Sequence, residues 1–177
     1  IDYKIFDSDI FEVANNLDKD HPCYMCARMR RGFLYKTAKD LGCNKIALGH
    51  HFDDAIETIL LSMFYGGEFK TMLPKLHSTN FSSMELIRPL YLVREESISK
   101  FWQYNGYTFI NCACKFTENK DVESNSKRLE IKKLLNELRE KSDVIDNNIF
   151  KSVEKVNLET LISYQDDGKI TSFLDRY

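Results

Sequence analysis

Short apolar segments alternate with amphipathic helical patterns through the first two thirds of this chain. Strands are predicted at residues 3–6, 45–48, 84–89 and 107–110. Helices are predicted to begin after the polar run at residues 7–9, to cover residues 27–41, and to include residues 56–64 and 98–102. This alternation is typical of a layered α/β domain with parallel strands.

The chain changes character after Lys115, where charged amphipathic patterns follow one another. We predict an α/β domain over residues 1–115 and a helical tail over residues 116–177. A chain of 177 residues, 43% hydrophobic and 29% charged, is long enough for one domain with such an appendage. No apolar run reaches the ~20 residues that span a bilayer, and no signal-peptide pattern opens the chain. We therefore expect a cytoplasmic protein without a membrane partner.

The five cysteines include two close pairs, Cys23 with Cys26 and Cys112 with Cys114. An odd, sparse set fits a reducing compartment better than a disulfide scaffold. Close thiolates form either a closed zinc site with four cysteine ligands or an iron–sulfur cluster in which three cysteines leave one iron open. Buried, inert cysteines are the third alternative. Cys43, outside both pairs, is interpreted as a packing residue.

A polar run, Gly49-His50-His51-Phe52-Asp53-Asp54, lies between a predicted strand and a predicted helix. Ligands of open α/β sheets bind at the carboxyl ends of strands. Side chains of His50, His51, Asp53 and Asp54 there suit Mg²⁺, phosphates or proton transfer. The structural alternative is a helix start in which Asp53 is the cap and Asp54 pairs with Glu57 in a capping box.

Two basic groups stand out against a net charge of −2, which gives no overall attraction to nucleic acid. One follows the first cysteine pair and the other lies in the tail. Both are either solvated helix faces or local phosphate-binding surfaces for RNA. The residues are Arg28, Arg30 and Arg31, then Lys127, Arg128, Lys132 and Lys133.

Several of these motifs occur together in one known family. The runs are CYMCARMRRGFLY (residues 23–35), KIALGHHFDDAIET (45–58), MFYGG (63–67), MLPK (72–75) and IRPL (87–90). In this order they closely resemble the tRNA 2-thiocytidine synthetase (TtcA) family of the PP-loop ATP pyrophosphatase superfamily. The resemblance implies an adenine nucleotide alpha hydrolase-like fold and a tRNA-thiolating enzyme.

The resemblance also implies a mechanism and its cofactors. ATP with Mg²⁺ adenylates the C2 oxygen of a tRNA cytidine, and sulfide on a 4Fe–4S cluster displaces AMP. Cys23, Cys26 and Cys114, with Cys112 as the alternative, match the cluster ligands. Asp53 would lie at the ATP and Mg²⁺ end of the site, and Arg30 would face the activated phosphate. A sulfur donor such as a cysteine desulfurase system and a homodimer are further expectations.

Two departures from the family pattern bear on this resemblance. The family's second pair is CxxC, whereas this chain has Cys112-Ala113-Cys114. The ATP-binding PP-loop, Ser-Gly-Gly-x-Asp-Ser, does not occur in the sequence. We therefore expect an amino-terminally incomplete domain that is inactive alone. The rival interpretations are a non-catalytic zinc-stabilised RNA-binding module and a cluster-independent PP-loop ligase or amidotransferase.

Overall fold

A computed structural model describes residues 3–17, 22–108 and 127–177. Its helices are α1 (Ile10–Leu17), α2 (Pro22–Asp40), α3 (Phe52–Leu61), α4 (Glu95–Tyr104), α5 (Lys127–Lys141) and α6 (Ile145–Glu154). Its strands are β1 (Lys45–Ala47), β2 (Lys75–His77), β3 (Glu85–Ile87), β4 (Ser163–Asp166) and β5 (Lys169–Ser172). A π-helical turn at Ser62–Gly66 and 3₁₀ turns at Leu158–Thr160 and Phe173–Arg176 complete the elements. No helix among these residues is both long and apolar enough to span a bilayer.

The described residues form two compact units. Those of the first lie within Ile1–Asp53 and Leu73–Asn125, and those of the second within Asp54–Met72 and Ser126–Tyr177. The domain boundary predicted after Lys115 falls outside the described residues and stays a prediction.

The sheet of the first unit has the strand order β1-β3-β2. β1 pairs with β3 in parallel, with Lys45 opposite Glu85, as expected of an α/β domain with parallel strands. β2 was not predicted and runs antiparallel to β3, so the sheet is mixed. Residues 3–6, predicted as a strand, have no regular structure and are exposed, because no neighbouring strand among the described residues pairs with them.

The core of the first unit lies between α2 and the sheet. Tyr35, Met84 and Leu86 are buried at its centre, and the Tyr35 ring stacks on Phe81 at 5.2 Å. Partly buried side chains complete it, namely Ala38, Ile46, Leu48, Leu76 and Phe81. Leu34 of α2 and Leu41, which follows the helix, lie outside this core and are 45% and 46% exposed.

The helix α2 begins five residues earlier than predicted and ends as predicted. Gly42 has φ +75°, a left-handed conformation that ends a helix readily in glycine. The Gly42 N–H donates to the Lys39 carbonyl at 2.9 Å. The next residue, Cys43, is exposed, so its interpretation as a packing residue is wrong. The strand predicted at residues 107–110 has no regular structure at 107–108, and its other half lies outside the described residues.

The second unit contains the rest of α3 with α5 and α6, of which α5 and α6 lie in the predicted helical tail. Buried apolar side chains lie on α3 (Ala55, Ile56, Ile59, Leu60) and on α5 (Ile131, Leu135). The tail also contains a hairpin that was not predicted, in which β4 and β5 pair antiparallel. Its loop, Asp167-Gly168, has positive φ at both residues, as a two-residue hairpin turn requires.

Candidate nucleotide site

The two parallel strands of the first unit end side by side. The Leu48 N–H donates to the Ile87 carbonyl at 2.9 Å, and the Phe52 N–H donates to the Val93 carbonyl, also at 2.9 Å. These bonds join the loop that leads from β1 to α3 with the segment that leads from β3 to α4. The polar run at residues 49–54 therefore lies at the carboxyl ends of adjacent parallel strands, where open α/β sheets bind ligands.

Asp53 links these two connections through its side chain. It is the second residue of α3 and is 6% exposed. Its Oδ2 accepts a hydrogen bond from the backbone N–H of Glu95, the first residue of α4, at 2.8 Å. The N-cap residue of α4 is Arg94, and an arginine has no side-chain acceptor to offer. Asp53 thus caps α4.

Two cation-forming side chains flank the Asp53 carboxylate. Arg94 Nη1 lies 3.9 Å from Asp53 Oδ1, and His51 Nδ1 lies 3.9 Å from Oδ2. The Arg94 guanidinium also lies over the Phe52 ring, 4.8 Å from its centroid. Arg94 was not among the predicted site residues. The signal was present, because Arg94 follows the predicted strand at 84–89 just as residues 49–54 follow the strand at 45–48.

In the second unit, the acidic residues of α3 bind the basic residues of α5. Glu57 is 2% exposed, and its Oε2 accepts a hydrogen bond from Arg128 Nε at 2.7 Å. Arg128 also donates to Asp54 Oδ1 through Nη2, and Lys132 Nζ lies 3.7 Å from Glu57 Oε1. A buried carboxylate is tolerated only when such partners compensate its lost hydration. The predicted RNA contacts of Arg128 and Lys132 stay predictions, as does the nucleotide role of Asp54.

Lys127 and Lys133, the other predicted basic residues of α5, are exposed. Lys127 Nζ lies 3.3 Å from Glu130 Oε2 and 4.7 Å from the centroid of the Tyr65 ring. Hydrogen bonds from Tyr65 and Lys127 lower the pKa of Glu130. The hydrogen bond between Tyr65 and Glu130 also raises the pKa of Tyr65. These contacts hold the start of α5 against the π-helical turn.

The first cysteine pair lies in the opening turns of α2. Cys26 is free and half-buried, and residues three apart in a helix lie on the same side of it. The side chain of Cys23 and both residues of the second pair, Cys112 and Cys114, lie outside what the structure describes. Arg28, Arg30 and Arg31 are exposed on α2. Among the described side chains, no group of three or more His, Cys, Asp or Glu residues is close enough to hold a metal ion.

Comparison with known proteins identifies relatives over most of the chain. The sequence profile of the PP-loop domain family matches residues 15–135. A tRNA-cytidine(32) 2-sulfurtransferase of Vibrio cholerae serotype O1 is 38% identical over 159 residues, which are 88% of this chain and 49% of the relative. A protein of the same name from Aliivibrio fischeri is 42% identical over 139 residues, 77% of this chain and 43% of the relative. The chain spans about half the length of these curated relatives.

Proposed function

This chain belongs to the PP-loop domain family, and we propose that it is part of an ATP-dependent tRNA sulfurtransferase that replaces the C2 oxygen of a cytidine with sulfur. The observation that carries the proposal is the 38% identity to a tRNA-cytidine(32) 2-sulfurtransferase across 88% of the chain. The position of His51 and Asp53 at the exits of two parallel strands supports it, because nucleotides bind there in α/β folds.

The proposed reaction has two steps. The cytidine O2 attacks the α-phosphorus of ATP, and pyrophosphate leaves. A sulfur nucleophile then attacks C2, the C2–O bond breaks, and AMP leaves with the oxygen. Adenylation is useful because AMP is a far better leaving group than oxide, and positive charge at the phosphates stabilises both transition states. The chain itself would supply Arg30 at the activated phosphate.

Mg²⁺ fits the carboxylate chemistry at the start of α3. It is usually held by one or two carboxylates together with substrate phosphates and water, and it offsets charge on those phosphates. Asp53 would provide such a carboxylate, held in place by the Glu95 N–H. His50, His51 and Asp54 would complete the nucleotide-binding segment.

A 4Fe–4S cluster would be held by the cysteines at the start of α2 and one cysteine of the second pair. Cys26 is a free thiol, and position 23 lies on the same side of the helix. Cys114 would be the third ligand, with Cys112 as the alternative, and the cluster, when bound, would hold the sulfur at its open iron. We further propose that a cysteine desulfurase system supplies this sulfur, that the enzyme is cytoplasmic, and that it forms a homodimer.

The test is thiolation by the protein as its gene encodes it, purified without oxygen. Iron, acid-labile sulfide and zinc are measured, and the protein is then incubated with ATP, Mg²⁺, a sulfur source and unthiolated tRNA. We expect 2-thiocytidine in the tRNA by mass spectrometry and AMP formation that depends on tRNA. Stoichiometric zinc without sulfide and without thiolation would favour the zinc-stabilised RNA-binding module instead.

The cysteine assignment has its own control within the chain. Cys23→Ala, Cys26→Ala and Cys114→Ala should each lose the cluster absorbance and the bound iron. Cys43→Ala should retain both, because Cys43 is an exposed free thiol outside the two pairs. A cluster that survives Cys114→Ala but not Cys112→Ala would move the third ligand to Cys112. Thiolation by all of these variants would favour a cluster-independent PP-loop enzyme.

A further inference from the structure

Arg94 is held in place at the exits of β1 and β3 and is partly exposed. Its guanidinium lies over the Phe52 ring, 4.8 Å from the centroid, and a cation in that position is attracted by the ring. The backbone on either side is fixed as well, because Val93 accepts the Phe52 N–H and the Glu95 N–H donates to Asp53. The side chain is nevertheless 39% exposed.

One end of the Arg94 guanidinium lies near the Asp53 carboxylate. Nη1 lies 3.9 Å from Oδ1, which is longer than a hydrogen bond, while Oδ2 of the same carboxylate binds the Glu95 N–H at 2.8 Å. Arg128 in the second unit differs, because its Nε donates to Glu57 at 2.7 Å and its Nη2 donates to Asp54. Asp53 therefore lies beside the Arg94 guanidinium at the strand exits, and Arg128 is bound to two carboxylates of the second unit.

We propose that Arg94 binds the phosphates of the nucleotide in the site proposed above, an inference that rests on that proposed function. A planar guanidinium makes paired, charge-assisted hydrogen bonds to phosphate oxygens. Negative charge on Asp53 and Glu95 would repel a polyphosphate at the strand exits, so a fixed cation is needed beside them. Arg94 meets this need because its position is set by Phe52 on one side and Asp53 on the other.

The test compares the binding of ATP with Mg²⁺ and of adenosine to the full gene product by calorimetry. Arg94→Ala should weaken ATP binding about tenfold or more, since a charge-assisted hydrogen bond is lost, and should leave adenosine binding within about twofold. Arg94→Lys should fall between Arg94→Ala and the unaltered protein, because it keeps the charge but loses the fork geometry. Lys100→Ala is the matched control, since Lys100 is an exposed cation on the same helix that pairs with Glu96.

A second variant tests how Arg94 is held. Phe52→Leu keeps apolar volume but removes the ring, so ATP affinity should fall in the same direction by a smaller factor while adenosine binding is kept. Equal losses for ATP and adenosine, unchanged ATP binding in Arg94→Ala, or no ATP binding by the unaltered protein would each overturn the inference. If ATP binding responds as expected but tRNA is never thiolated, the role of Arg94 stands and the proposed reaction falls.

Discussion

The carboxylate of Asp53 on α3 accepts a hydrogen bond from the backbone N–H of Glu95, which begins α4, across 42 residues of sequence. This bond ties the segment that follows β1 to the segment that follows β3. Asp53 therefore has a structural task as well as the nucleotide role proposed for it. The two tasks make different demands on the side chain, because a cap needs only an oxygen acceptor whereas Mg²⁺ and phosphate chemistry needs the negative charge.

Asp53→Asn and Asp53→Ala separate these two tasks. Asparagine keeps an acceptor for the Glu95 N–H, so Asp53→Asn should fold almost normally, yet thiolation should fall ~10²-fold or more if the charge acts in the reaction. Asp53→Ala should lose the cap as well, at about 1 kcal/mol of unfolding free energy. Urea unfolding and thiolation per folded molecule measure the two effects. If Asp53→Asn retains thiolation, the role of Asp53 is limited to capping α4.

The buried carboxylate of Glu57, with the half-exposed cations Arg128 and Lys132, should stabilise the contact between α3 and α5. Arg128→Met leaves Glu57 with its ion pair to Lys132. We expect a loss of about 2 kcal/mol of unfolding free energy. This is less than the ~3–5 kcal/mol lost when a fully buried ion pair is broken, because Arg128 is half-exposed. Glu57→Gln should also destabilise. The double variant should lose clearly less than the sum of the two single losses.

Lys133→Met is the matched control for this cycle, because Lys133 is an exposed cation on the same helix. Its effect should stay within about 0.5 kcal/mol. Strictly additive losses for Glu57→Gln and Arg128→Met in urea unfolding would show that the two side chains do not stabilise the protein through each other.

The sequence predicted the elements whose local pattern is strong. α3 and α5 follow clear apolar periodicities, and Gly42 marks the end of α2. Local periodicity could not choose between neighbouring faces of α2, where Tyr35 rather than Leu34 is buried, because several faces carry apolar residues. It also missed β2, because Lys75-Leu76-His77 contains a single apolar residue between two polar ones. The β4–β5 hairpin could have been predicted from the sequence, because Asp167-Gly168 is a typical hairpin turn pair.

The sequence predicted the site only as the segment at residues 49–54, without its partners from other parts of the chain. Residues 49–51 follow β1 as predicted, because a glycine-ended strand before a helical pattern fixes that position, whereas residues 52–54 are already the first turn of α3. Their partners come from distant parts of the chain. Glu95 lies 42 residues from Asp53, and Arg128 lies 71 residues from Glu57. Pairing at such distances depends on tertiary packing, which no local sequence rule encodes.

Glu85 should make stability depend on pH in the acid range. Hydrogen bonds from Lys75 and Lys45 lower its pKa below the ordinary value of 4.5. Because the folded state favours the ionised form, this contribution is fully present above pH 4.5 and is lost as the pH falls through the lowered pKa. Glu85→Gln should therefore flatten the fall of unfolding free energy below pH 4.5. Glu140→Gln, an exposed control on α5, should keep the slope of the unaltered protein, and an equal slope in both variants would contradict the prediction.

Substitutions of the basic residues on α5 and on α2 should differ in their effects on tRNA affinity and on turnover. Each phosphate contact adds close to one unit to the slope of log affinity against log salt. Neutralising Lys127, Arg128, Lys132 and Lys133 should therefore weaken tRNA binding and flatten that slope while ATP binding is kept. Lys133 should carry most of the change, because Arg128 and Lys132 already face Glu57 and Lys127 pairs with Glu130.

The α2 residues give the comparison that completes this prediction. Arg28→Gln and Arg31→Gln should flatten the salt slope as phosphate contacts do, whereas Arg30→Gln should reduce turnover more than affinity, because Arg30 is proposed to face the activated phosphate. Lys141→Gln, at the far end of α5, is the control for a cation outside the proposed set. tRNA binding across a salt series measures the affinity and the salt slope of all these variants, and the rate of thiolation measures turnover. An unchanged slope in the α5 variant would mean that its lysines belong to a solvated face, since neutralising a true phosphate contact must reduce counterion release.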